Sequence, residues 1–426
     1  MLNVRIEPGE SMDKALTSAA SALKALLKAS EQEGVVRIFA YPSLEAYAAG
    51  LLAFSALARE GRNVVLSLRP IPPSKIFEPS LAVGYDSLGY TNESVRSQLV
   101  AISAGLKEAP PVNASYISVD GSLGGSLYLV LRLVDDLKLE PEHAIMSLAS
   151  LYASRYVDKS GKVFGVDKVL VNQLAQDNKV ELTAITSLKS YRPHVLGFCE
   201  SLSITLEPYY PGLAGSAENC EALLRSSALE ELAHKRAIDM SDEDVKRLAR
   251  AVLAFVKDRS GGRLQLLDYV GGFYVGSENL VVSDPREFLG VVTSVTEMAG
   301  LAQGASLAAN FEEEYVQAAG RLGRIAKLLS ETVEQGGAEE LMVGGIKIVK
   351  LRAGRRAPLY YVWQAMRQLG LGEDFVLGYE SEGKVVASLI QAAEALKSRL
   401  SKLIEQEGVS YRGAELWIAA TTARQG

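Results

Sequence analysis

VVRIFAYPSLEAYAAGLLAFSALAREGRNVVLSL, residues 35 to 68, decides the fold. VVRIFA reads as a buried strand, YAAGLLAFSALAREG as a helix rich in small residues, and NVVLSL as a second strand. Further apolar strands fall near 80–85, 98–102 and 114–118, and residues 12 to 195 alternate such strands with helix-period segments. That order implies a mainly parallel sheet covered on both faces, with functional loops at the strand C-terminal ends. The first such loop is Tyr41-Pro42-Ser43-Leu44-Glu45-Ala46. Hard divalent cations need oxygen ligands, mostly carboxylates, and a catalytic metal pair needs enough of them to hold both ions. This loop offers one, Glu45.

The chain has 426 residues, 48% of them hydrophobic and 23% charged, enough for two or three packed domains. No run reaches the ~18 to 20 apolar residues of a membrane span. The N-terminal thirty residues read as acidic at the start and then helical, with no export-signal pattern. A net charge of −6 disfavours contact with a phosphate backbone except through a local basic patch. Cys199 and Cys220 are expected to be buried free thiols, although a bridge is tolerable in intracellular proteins of hyperthermophiles.

Three more segments extend the pattern: Leu206-Glu207-Pro208-Tyr209-Tyr210-Pro211-Gly212-Leu213-Ala214-Gly215 followed by AENCEALL, Gly161-Lys162-Val163-Phe164-Gly165-Val166-Asp167, and Val282-Ser283-Asp284-Pro285-Arg286-Glu287-Phe288. Together with the loop at 41 to 46, they resemble, in the same order, segments of the archaeal RecJ-like proteins of the DHH phosphoesterase superfamily. The resemblance implies an α/β fold: a DHH-type domain with a mainly parallel sheet at 1–195, a loop and helical linker at 196–260, and a smaller DHHA1-like α/β domain at 261–426. It also implies where metal ligands should be. Where the family writes His-x-Asp-x-Asp-Gly, this chain has Tyr41, Ser43, Glu45 and Ala46. The second-motif aspartate matches Asp86; the Asp-His-His motif matches Ser103-Ala104-Gly105; the fourth-motif aspartate matches Tyr156, with Asp158 two residues later. No catalytic residue, bound metal or cofactor is therefore expected.

The resemblance extends to the eukaryotic replication factor called cell division cycle forty-five, whose DHH site has decayed. It implies a cytoplasmic, nucleoid-associated scaffold that joins GINS and, through it, the MCM helicase as a CMG-like assembly, with single-stranded DNA as a further partner. The alternative is a metal-dependent single-strand exonuclease or phosphoesterase in which Glu45, Asp86 and Asp158 converge on one ion. Asp86 and Asp158 also read as ordinary loop and cap carboxylates. Read from the residues alone, Lys347, Lys350, Arg352, Arg355 and Arg356 form the best basic patch, with Tyr360, Tyr361 and Trp363 close behind as stacking surfaces. A solvated hairpin whose aromatics face the core is the competing reading. The family's glycine-rich loop with a histidine is missing from 375–426. Gly121-Ser122-Leu123-Gly124-Gly125-Ser126 resembles a phosphate-cradling loop but lacks the Walker lysine, and reads as a loop before a buried helix.

Overall fold

The computed structural model describes residues 2–260, 266–335, 338–352, 357–370, 372 and 374–419. The chain opens with β1 (Leu2–Ile6) and α1 (Met12–Glu33), then β2 (Val36–Ala40), α2 (Leu44–Arg59) and β3 (Val64–Leu68). Strands β4 (Ser80–Val83), β5 (Leu99–Ser103) and β6 (Ala114–Val119) follow, and then helices α3 (Leu123–Leu131), α4 (Pro141–Tyr152) and α5 (Val166–Ala175). The six strands form one parallel sheet in the order β1-β6-β5-β4-β2-β3. Strands β4 and β5 are buried on both faces, as expected of central parallel strands.

The two faces are covered differently. Ile38, Val100, Ile102 and Ile117 face a core shared with α1 to α4. Phe39, Ala82, Ala101 and Tyr116 face Ile76, Tyr85, Leu88, Val95 and Leu106, which come from the segments linking β3 to β6. Those links are not helical, so the expected alternation stops at β3 and resumes after β6. The RPIPPSK stretch explains the first, because proline lacks the helix donor and pushes its predecessor into extended backbone. β1 corrects the helical expectation for the N-terminus. Its LNVRI pairs in register with β6, so tertiary pairing decided its state.

Helix α2 sits close to the sheet because Gly50 leaves no side chain between them. A Cβ there would lie 3.3 Å from both Ala40 and Leu66. The middle of the chain forms β7 (Thr183–Leu188), α6 (Phe198–Ser203), α7 (Ala217–Ser226), α8 (Asp242–Arg259), α9 (Leu266–Tyr269) and β8 (Val270–Val275). α8 starts on a capping box between Ser241 and Asp244. The two cysteines are not free thiols: Cys199 and Cys220 form a disulfide with Cα atoms 5.4 Å apart. It ties α6 to α7 across the PYYPG segment, inside an apolar cluster with Tyr210, Leu213 and Leu224. Cysteines 21 residues apart give no sequence signal that distinguishes a bridge from two buried thiols.

Helices α10 (Pro285–Ala299), α11 (Leu301–Ala309), α12 (Glu313–Ala319) and α13 (Leu322–Gln335) come next. The first two pack against α2 and α4. The remaining elements are β9 (Ala338–Val343), β10 (Ile346–Leu351), α14 (Leu359–Gln368), β11 (Phe375–Ser381), β12 (Lys384–Ser388), α15 (Leu389–Leu396), α16 (Leu400–Ile404), β13 (Val409–Arg412) and β14 (Glu415–Ala419). They build a second sheet in the order β13-β14-β12-β11-β10-β9, with β10 and β11 parallel and its other pairs antiparallel. The GFYVG segment is β8 and pairs with β7 outside both large sheets, and Leu266 to Tyr269 before it is helical. Contacts therefore cross residue 261, the expected lobe boundary. Among the described residues no helix is long and apolar enough to cross a membrane.

The disulfide closes a loop whose entropy the unfolded chain otherwise keeps, worth about 3 kcal/mol for this length. Urea unfolding of Cys220→Ala against the oxidised protein should show a loss of that size; equal midpoints would contradict a structural role for the bridge.

Candidate functional site

Tyr41, Ser43 and Glu45 lie where β2 passes into α2, and Asp86 and Ser103 lie at the ends of β4 and β5. The fold gathers these five at the C-terminal edge of the sheet, yet each is already engaged. Ser43 is the N-cap of α2 and accepts from the Ala46 N–H. Ser103 Oγ donates to Asp86 Oδ1 at 3.1 Å and accepts from the Gly105 N–H at 3.3 Å. A Cβ at Gly105 would lie 2.2 Å from Asp86 Oδ1, so a larger residue there would displace the Asp86 carboxylate from Ser103. Tyr41 sends its hydroxyl to the Lys397 carbonyl at 3.2 Å. Burial, with Glu394 and Asp86 adding to it, pushes its phenol up to about 12. Tyr156 is buried with Arg155 over its ring.

Glu45 points at the start of α3. Its Oε1 accepts from the Leu123 N–H at 3.0 Å. The neighbouring amides are taken as well: Ser122 N–H by Asp167 at 2.5 Å, Gly124 N–H by Ser150 Oγ at 2.9 Å, and Gly125 N–H by Ser122 Oγ at 3.1 Å. A Cβ at Gly124 would come within 2.4 Å of Ser150, and one at Gly125 within 2.2 Å of Asp167. The glycines thus admit the protein's own acceptors, leaving residues 122 to 125 no amide for a phosphate. Burial is the main cause that lifts Glu45 to about 7 and Asp167 to about 6, against the hydrogen bonds that pull each down.

The second sheet's helices reach the same place. Glu394 of α15 accepts from the Leu44 N–H at 2.7 Å, so a carboxylate from the C-terminal part caps α2 beside the first-motif residues. Next to it opens a cavity of about 620 Å³ whose walls include Lys189, Glu207, Arg286, Tyr360, Arg367 and Glu394. Glu207 lines this space and is exposed to it, while the protein around the cavity pushes its carboxyl up to about 7. Burial pulls Lys189, held by the Lys159 and Leu267 carbonyls, down to about 8. Sequence reading missed Glu394 and Lys189, since neither lies in a motif and only the packing brings them here.

These residues do not fit a metal pair. Among the described residues no group of three or more His, Cys, Asp or Glu side chains is placed to hold an ion. Glu45, Asp86 and Asp158 therefore do not converge. Asp158 closes its own loop, accepting from Ser160 and Lys162 amides at 2.9 and 3.0 Å. His143 is a neutral core residue between Ser55 Oγ and the Glu140 N–H, and burial pulls it down to about 4.

The basic patch is largely neutralised. Lys347 pairs with Glu340 at 2.5 Å, and Lys350 with Glu339 and Glu380 at 2.7 and 2.8 Å. Arg352 is exposed, whereas Arg355 and Arg356 lie outside the described residues. Tyr360, Tyr361 and Trp363 are buried in α14 and present no open face for a base.

No family model matches the sequence, and no curated protein matches it. Among solved structures, the chain is similar to CDC45 from Entamoeba histolytica: 10% identity, TM-score 0.56, over 99% of this chain and 97% of that one. The chain therefore has the CDC45 fold from end to end. RecJ from Thermus thermophilus in complex with Mn2+ aligns at 12% identity over 95% of this chain and 52% of that one, with TM-score 0.39.

Burial raises Glu45 and Glu297 to about 7 and Glu287 to about 8, from an ordinary 4.5. Folded values above unfolded ones mean that the neutral acids favour folding: their contribution is complete below about 4.5 and disappears as pH rises through 7 to 8. The Tm should thus fall between pH 5 and pH 8. Glu45→Gln keeps an acceptor for Leu123 and should recover on the order of 1 to 3 kcal/mol at pH 8 but nothing at pH 5. Equal effects at both pH values would contradict this origin.

Proposed function

We propose that this chain is a catalytically inactive scaffold of DNA replication, associating with the GINS complex and through it with the MCM helicase. The observation that carries the proposal is the use made of Glu45. The one carboxylate retained at the first-motif positions caps α3 instead of pointing into open space. Glu394 closes α2 from the other side. Phosphodiester cleavage needs an activated water and a clamp for developing charge, and hydrogen-bonded serines and tyrosines supply neither. The CDC45 fold over the whole chain supports the same function. A scaffold of this kind would work at the nucleoid, in the cytoplasm.

Single-stranded DNA enters this proposal as a weaker partner. With Lys347 and Lys350 paired to glutamates, guidance of a strand falls to Arg352, Arg355 and Arg356. Neutralising these three should reduce oligonucleotide binding and its salt slope while leaving protein partners bound.

The direct test is co-elution of the purified protein with GINS of its own organism on a sizing column with light scattering, in manganese-free buffer. A stable stoichiometric complex is expected. A parallel incubation of the chain with a labelled single-stranded oligonucleotide and manganese should leave the strand intact. Cleavage abolished by Glu45→Gln would overturn the proposal in favour of an exonuclease, and separate elution at micromolar concentration would remove GINS as partner.

A further inference from the structure

The first sheet ends on β3, whose neighbour is β2 alone. The Arg69 N–H donates to Ala40 and the Asn63 carbonyl accepts from Val36, so the backbone groups of odd-numbered residues face β2. By the two-residue alternation of a strand, the amides and carbonyls of Val64, Leu66 and Leu68 point away from the sheet; Val64 and Leu66 are partly exposed, and Leu68 is buried. An open edge is a template for another chain, and proteins normally blunt it with charge or proline. The far edge of this sheet, β1, carries Arg5 in an ion pair with Glu7, and β9 in the second sheet carries Glu339 and Glu340. β3 reads Val-Val-Leu-Ser-Leu and has no such guard.

The surface beside it is apolar with a cationic flank. Val65 is 40% exposed and sits in register with Arg37, which pairs with Glu78. Phe77, adjacent in sequence to Glu78, is 59% exposed, the most of any large apolar side chain among the described residues. The Arg96 guanidinium stands over its ring, 5.9 Å from the centroid, and Lys75 is two residues away in sequence. Arg96 and Lys75 are exposed and make no ion pair among the described residues. Arg62, near the start of the strand, is held loosely by Glu31 at 3.5 Å.

We propose that β3 receives an extended segment of a partner protein as a seventh strand, with apolar side chains against Val65 and Phe77 and acidic ones against Arg96 and Lys75. Backbone pairing supplies the affinity, and the flank selects the charge of the guest. A second copy of this chain suits the site less well, because a symmetric edge would set the cations against themselves. The proposal goes beyond the scaffold function and does not depend on which assembly the chain joins.

The test uses two fluorescent peptides of about nine residues, long enough to span a strand, one alternating valine with glutamate and the other valine with lysine. Anisotropy should show the glutamate peptide binding at least roughly tenfold more tightly. Its binding should slow hydrogen exchange at the Val64 and Leu66 amides. Val65→Glu, which removes the apolar contact and repels the acidic guest, should weaken it by about tenfold with Tm unchanged, as for an exposed edge position. Equal binding of the two peptides, or protection confined to other residues, would overturn the proposal. Sedimentation that shows a dimer lost in Val65→Glu would also overturn it, by assigning the edge to a second copy. Each of these failures leaves co-elution with GINS to be judged separately.

Discussion

The start of α3 is the constraint on which the rest of the candidate site depends. A helix N-terminus leaves backbone amides without partners, and inside a protein each one needs an acceptor. Here the acceptors are Asp167, Glu45, Ser150 and Ser122, drawn from α5, α2, α4 and the cap itself. The first-motif glutamate is thereby tied to three other helices, and the glycines at 124 and 125 are required for the approach. Moving Glu45 toward a metal would strand the Leu123 amide.

That arrangement also explains how the two ends of the chain meet. The first turn of α2 presents Ser43 to its own helix and the Leu44 amide to Glu394. Tyr41 reaches the Lys397 carbonyl at the end of α15, where Lys397 itself takes a left-handed conformation. Gln368 of α14 joins the Tyr209 backbone through both its amide groups, accepting from the N–H at 2.9 Å and donating to the carbonyl at 3.1 Å. The second sheet is therefore docked on the loop at 41 to 44 and on the PYYPG segment that the disulfide frames. The cavity that remains between these parts keeps Glu207 and Lys189 near neutrality.

Much of the first sheet could be read in the sequence because VRIFA, SLAV and LVAIS are apolar runs of strand length bounded by turn residues. That positions 41, 43, 103 and 156 carry tyrosine and serine rather than carboxylate or imidazole was equally legible, being a matter of residue type. The β1 strand was not, since LNVRI becomes a strand only by pairing with β6 more than a hundred residues away. The absence of crossover helices between β3 and β6 was signalled by prolines but masked by the strand-helix rhythm around it. Glu394 and the ion pairs that occupy Lys347 and Lys350 depend on contacts across strands and lobes, and no spacing in the sequence encodes them.

The central claim is that Glu45 serves as a helix cap and not as a metal ligand. Calorimetric titration of manganese into the full chain tests it most directly, with Glu45→Gln measured alongside. With Glu45 held as a helix cap, both proteins should give the same small, unsaturable heats. Saturable binding of one or two ions per chain that vanishes in Glu45→Gln would contradict it.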